Sequence, residues 1–162
     1  MDRKKVYGPH EAVTLGIELE NAGYHFYTRV ADASMDFRVK DLFASLANAE
    51  LEHIRVIKEE IEPNFTPEWY REEDQQLMAE YLRKIEAQPV FPSPDDAEDF
   101  AAVTNNIERA VDTSIEAEKR AMAYFEYLRD ATLDSNGHKA FDRLYKEEEK
   151  HLKLLTELKA SL

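Results

Sequence analysis

Six side chains recur in this chain as one pattern at a fixed offset. Two glutamate–histidine pairs, Glu50-Leu51-Glu52-His53 and Glu148-Glu149-Lys150-His151, each follow a further glutamate by 30 residues, Glu20 and Glu118. Glu20 and Glu118, Glu50 and Glu148, and His53 and His151 are all separated by 98 positions. Residues three apart share a helix face, so each Glu-x-x-His can aim both side chains at one point. Four carboxylates and two imidazoles on four helices are what a two-metal site inside a helix bundle requires.

The hydrophobic spacing supplies the helices. Four segments carry apolar residues at three- and four-residue intervals. They predict helices over about 10–33, 36–62, 104–131 and 137–160, with Thr104 as N-cap of the third. Pro9 marks the start of the first, and Pro63 the end of the second. The first two segments are joined by a short connection, as are the last two, so each pair should form an antiparallel hairpin. A crossover over 63–103 links the hairpins. It holds a predicted helix from Thr66-Pro67 to Ile85, then Pro89, Pro92 and Pro94, with a further helical turn over 95–101. The fold class is all-α: a four-helix bundle of two hairpins joined by a long crossover with an extra helix, in a single domain over 1–162.

The repeat extends beyond the six ligands. Residues 12–60 set against 110–158 without gaps share thirteen identities in 49 positions, where chance gives about three. The two hairpins are therefore expected to be related by a pseudo-twofold axis through the site.

Glu-x-x-His alone is a weak signal in a chain with 34 acidic residues. The joint recurrence and the facing change that. All six residues lie on the apolar stripes: Glu20 between Ile17 and Tyr24, Glu50 and His53 between Leu46 and Ile57, Glu118 between Ile115 and Met122, Glu148 and His151 between Leu144 and Leu155. Four buried carboxylates facing one another repel and are poorly solvated. Two divalent cations would balance their four negative charges. Mixed carboxylate and imidazole ligation suits iron or manganese, and zinc would also bind. In this reading Glu50 and Glu148 bridge, while Glu20 and Glu118 are terminal.

Composition excludes other chemistries. The chain has no cysteine, hence no disulfide, iron–sulfur cluster or four-cysteine iron centre. Its net charge of −13 argues against nucleic acid and anionic membrane as partners. The start, Met1-Asp2-Arg3-Lys4-Lys5, is charged with no apolar signal core after it. A cytoplasmic location is the expectation.

With these residues in place, the chain resembles the rubrerythrin-like branch of the ferritin-like superfamily. Glu20 with Tyr27 seven residues on, in Glu-Asn-Ala-Gly-Tyr-His-Phe-Tyr, is similar to that family's first helix. Glu118 in Glu-Lys-Arg-Ala-Met-Ala-Tyr-Phe repeats it with Phe125, and the two Glu-x-x-His motifs match the superfamily's di-iron ligands. The resemblance implies two iron ions reacting with hydrogen peroxide or dioxygen, as a peroxidase or ferroxidase served by an external electron donor protein or reductant. An oxidase or hydroxylase of an organic substrate is the alternative, and would need an apolar access cavity beside the metals. A non-catalytic iron-binding or delivery protein is another.

The chain departs from full rubrerythrins in two ways. Without cysteine it has no rubredoxin domain. Ser114, Ile115, Ala121 and Met122 around Glu118, like Gly16, Ile17, Gly23 and Tyr24 around Glu20, supply no extra acid one turn from a ligand. The six-residue set is closer to that of bacterioferritins. No fifth helix follows the fourth, so a homodimer is expected rather than a cage.

Tyr24, Tyr27 and Tyr145 are candidates to hydrogen-bond a ligand carboxylate or to supply an electron, against ordinary core packing. Gly23 and Ala121, one turn after the terminal glutamates, leave either room beside the metals or room for close helix packing. Trp69 is expected to anchor the crossover. In the run Glu147-Glu148-Glu149 only Glu148 is expected to point inward.

Overall fold

Local capping chemistry sets where the helices begin. The structure, a computed structural model, describes residues 7–162; the charged N-terminal pentapeptide lies outside them. Helix α1 (Pro9–Ala33) opens with Pro9 in its first position, and the Glu11 carboxylate accepts from Gly8 N–H at 2.8 Å. Helix α2 (Phe37–Val56) is capped by Asp36, which accepts from Arg38 N–H at 2.8 Å. After the crossover helices α3 (Gln75–Ala87) and α4 (Ala97–Thr104) come α5 (Ile107–Ala131) and α6 (Ser135–Ser161). Asp134 caps α6 through Gly137 N–H at 2.8 Å. Asp36 and Asp134 are 98 apart, so that repeated identity is a repeated helix start.

Three boundaries differ from expectation. Thr104 does not cap α5; it closes α4, its hydroxyl donating to Phe100 O at 2.8 Å. Asn106 is the cap instead, accepting from Arg109 N–H at 3.0 Å. The crossover helix begins at Gln75 rather than Thr66, because short 3-10 turns at Pro67–Trp69 and Glu72–Asp74 precede it. The second long helix stays α-helical only to Val56. Ile57–Ile61 then forms a π-helical turn, and a 3-10 turn carries the chain through Pro63. Both Ile57 and Ile61 are buried.

α1 packs chiefly on α2, and α5 on α6. These are the two antiparallel hairpins, and the crossover between them completes the all-α bundle. The apolar core falls into two clusters. Val13, Val56, Phe125 and Leu144 belong to one, and Phe26, Phe43, Val111 and Leu155 to the other. Each long helix therefore passes from one cluster to the other, and each carries a glutamate at the crossing: Glu20, Glu50, Glu118 and Glu148.

Trp69 anchors the crossover as expected. It is buried, its ring 5.0 Å from that of Phe65, and its carbonyl accepts from Leu133 N–H in the α5–α6 turn. Beneath it lies Gly137, where an added Cβ would sit 2.7 Å from Trp69 Cε3 and 2.9 Å from Thr132 Cγ2. Alanine is the better helix former by roughly 1 kcal/mol, but overpacking costs about 1–3 kcal/mol. We predict that Gly137→Ala lowers stability by about 1–2 kcal/mol. Urea unfolding followed by fluorescence of Trp69, the only tryptophan, reads this directly. An increase in stability would mean that the ring moves aside freely.

Candidate metal centre

The four glutamates at the cluster crossings meet the two histidines at the centre of the bundle. Glu20, Glu50, His53, Glu118 and Glu148 are all buried, and the His151 side chain is 12% exposed. Nδ1 of His53 lies 3.0 Å from Glu20 Oε2, 3.0 Å from Glu148 Oε1 and 3.9 Å from Glu50 Oε2. Nδ1 of His151 lies 3.2 Å from Glu148 Oε2 and 3.7 Å from Glu118 Oε1. The two imidazoles stack, with centroids 5.6 Å apart and planes inclined by 19°.

Two donor sets follow. Glu20, Glu50, His53 and Glu148 bring their ligand atoms within 4.8 Å of one another, and so do Glu50, Glu118, Glu148 and His151. Glu50 and Glu148 belong to both sets.

Electrostatics describe a site short of positive charge. Burial, then the Glu20 charge, pushes the Glu50 carboxyl well above its ordinary range. Burial, then the Glu148 charge, does the same to Glu118. Burial also acts to raise Glu148, but its neighbours Glu118, His151 and His53 outweigh it and hold Glu148 low. Burial opposes a charged His53, yet the Glu20 charge, with Glu147 and Glu148 beside the ring, raises its pKa. Even so, Glu118 Oε2 and Glu148 Oε1 are buried with no hydrogen-bond partner. Glu148 Oε1 faces His53 Nδ1 at 3.0 Å, the same nitrogen that engages Glu20 Oε2 at 3.0 Å. Orphaned carboxylate oxygens in a closed site are what divalent cations satisfy, so these residues fit a two-metal group.

The profile of the Rubrerythrin family matches residues 11–159. The chain belongs to the rubrerythrin family. Comparison with curated proteins and with solved structures gave no significant match. The buried acid–histidine cluster of this rubrerythrin-family chain fits a di-iron carboxylate protein.

Around the six residues the structure separates the tyrosines. The Tyr27 hydroxyl donates to Glu118 Oε1 at 2.6 Å. Burial first, and then the Glu118 charge, raises its pKa, so it stays a donor. No hydrogen bond joins Tyr24 or Tyr145 to a cluster carboxylate. The Tyr24 ring leans on His25 at 5.4 Å, and Tyr145 lies under the Arg129 guanidinium at 4.8 Å. At Gly23, an added Cβ would lie 3.3 Å from Glu50 Cδ. This glycine therefore makes room for a cluster carboxylate.

One residue escaped the sequence reading. Glu147 is not on a solvated face: it is half-buried, and its Oε2 lies 2.6 Å from Nε2 of His53. The His53 hydrogen bond lowers the Glu147 pKa. The repeat could not reveal it, because the position 98 residues earlier is Ala49. The surroundings of the two histidines are thus unequal although the six residues repeat.

A cavity of about 240 Å³ adjoins the cluster between α1, α5 and the crossover, and Glu20, Glu50, Glu118 and Tyr27 line its inner end.

Proposed function

We propose that this rubrerythrin-family protein is a di-iron carboxylate oxidoreductase, oxidising Fe(II) with hydrogen peroxide or dioxygen. The observation that carries this reading is the pair of buried donor sets sharing Glu50 and Glu148. Glu20, Glu50, His53, Glu118, Glu148 and His151 would hold the two ions, Glu50 and Glu148 belonging to both donor sets. Four carboxylates balance two divalent charges, which offsets the burial and the mutual repulsion that raise Glu50 and Glu118. Two ferrous ions would supply the two electrons that, with two protons, convert one hydrogen peroxide to two waters. An external reductant would return them to the ferrous state.

The protein's own groups set the stage. Glu147 accepts from His53 Nε2, which orients the ring so that Nδ1 points at the carboxylates, the usual outer partner of a ligating imidazole. Tyr27 fixes one oxygen of Glu118 and leaves the other free. Apolar clusters bound the site at either end.

Anaerobic loading with ferrous iron, followed by stopped-flow mixing with hydrogen peroxide or dioxygen, tests the reading. The expected result is faster oxidation by peroxide and repeated turnover when a generic reductant is added. Oxidation no faster than that of free ferrous iron, or release of iron after one turnover, would overturn it; release would point to iron delivery.

A further inference from the structure

The cavity beside the cluster is built rather than left over. On α1 and α5 its walls are small where the two helices face it, at Ala22, Gly23, Ala117 and Ala121. Its roof is the crossover stretch after α3, where Pro89, Pro92 and Pro94 keep the chain from continuing as a helix. That roof is fastened at two points. Arg120 Nη1 donates to Gln88 O at 2.5 Å, and the Phe91 ring wedges against Phe26 and Tyr27 at 4.8 and 5.7 Å. Ile85 of α3 and Val90 and Phe91 of the roof line the space together with Leu15 and Leu19 of α1. A chain holding only metal ions would gain by closing such a space, because apolar packing lost to a void is destabilising.

The chemistry of the lining narrows the occupant. The walls are apolar, and the inner end is formed by Glu20, Glu50, Glu118 and Tyr27. At the mouth, Arg120 is already engaged by Gln88 O and by Glu116 at 3.4 Å, and Glu86 accepts from the Tyr7 hydroxyl at 3.2 Å. Glu18 is exposed there, and the chain carries a net charge of −13, which disfavours anions. A dry apolar cavity of about 150 Å³ holds benzene. Scaled by volume, about 240 Å³ admits roughly ten non-hydrogen atoms.

We propose that this cavity binds a small, uncharged, mainly apolar organic molecule of about ten non-hydrogen atoms, one end of which lies against Glu20, Glu50, Glu118 and Tyr27. This goes beyond the oxidant chemistry proposed above, and binding does not require that chemistry.

Octan-1-ol is a suitable probe, with octanoate as its charged counterpart. Calorimetric titration of the full chain, as purified and loaded with redox-inactive zinc, should show saturable binding of one octan-1-ol per chain. Val90→Trp in the non-helical roof and Ala22→Phe on α1 fill the cavity from opposite sides without touching the six cluster residues. Each should weaken octan-1-ol binding at least about tenfold, and octanoate should bind at least about tenfold more weakly than the alcohol. Circular dichroism identifies a variant that fails to fold, and the other then carries the test. No saturable binding, binding unchanged by the folded variants, or equal binding of octanoate would overturn the proposal. A chain that binds octan-1-ol but no metal would leave this inference standing and sink the di-iron reading; the reverse result would do the opposite.

Discussion

Iron loading is expected to place two ions in each chain and to raise its melting temperature by about 5–10 °C, and Glu50→Ala or Glu148→Ala to abolish both effects. The motive is geometric. Glu50 and Glu148 are the two residues common to both donor sets, so losing either dismantles both. A ligand bound only by the native state at one hundred times its dissociation constant stabilises by about 2.7 kcal/mol. For a domain of this size that is several degrees. Glu52→Ala and Glu149→Ala serve as neighbours that should retain both ions. Glu52 is 45% exposed and paired with Arg55 at 2.5 Å, and Glu149 is exposed. Without metal, Glu50→Gln should be more stable than the unaltered chain at neutral pH, because it removes one of four crowded carboxylates while keeping its shape. Elemental analysis and thermal melts read all of this. One ion per chain, or loss of metal in Glu52→Ala as severe as in Glu50→Ala, would refute the ligand assignment.

Stripped of metal, the protein should lose stability as pH rises from 6.5 to 8.5, and the metal-loaded protein should not. Glu50 and Glu118 have folded pKa values well above the ordinary 4.5, through burial and then through Glu20 and Glu148 respectively. Above pH 4.5 the unfolded chain gives up these protons while the folded chain keeps them, so stability falls as pH rises. His53, raised from its ordinary 6.5 by the carboxylates against burial, acts in the same direction above pH 6.5. Glu148 and Glu147 are held low and act oppositely, but their gain is complete once the unfolded carboxyls have ionised, well below pH 6.5. Every contribution still changing in the window is therefore unfavourable. One net retained proton over two pH units is worth about 3 kcal/mol. Metal binding needs deprotonated ligands and releases these protons, which removes the slope or reverses it. Urea unfolding of chelator-treated and metal-loaded protein at three pH values decides the matter. A metal-free stability that is flat or rising across the window would show that the carboxylates do not crowd one another as the structure has them.

Much of the site was legible because its residues obey two periodicities at once. Glu50 and His53, like Glu148 and His151, are three apart and so share a helix face, and the whole set repeats at 98 in a chain whose apolar stripes run through it. An acid on an apolar stripe conflicts with local patterning, and such a conflict marks a site. The same repeat makes Asp36 and Asp134 readable as equivalent helix starts. Glu147 was not legible in this way. It neighbours Glu148 on α6, about 100° around the helix, and reaches His53 only because α2 and α6 lie side by side there. Thr104 and Asn106 are both acceptable caps in sequence; the short α4, which uses Thr104 to close its own last turn, settles the choice.

The amino-acid order by itself determined the four long helices, their pairing into hairpins and the six residues that meet between them. Those follow from periodicity, capping and short connections, all of which act within a few residues of each other. Tertiary structure alone decided the unequal surroundings of the two histidines, the separation of Tyr27 from Tyr24 and Tyr145, and the cavity beneath the crossover. Each depends on the distance between elements far apart in the chain. Phe91 meets Tyr27, and Arg120 meets Gln88, only when the crossover lies down across α1 and α5. No local spacing records where a stretch broken by Pro89, Pro92 and Pro94 will come to rest, because its position is set by the apolar surface it covers.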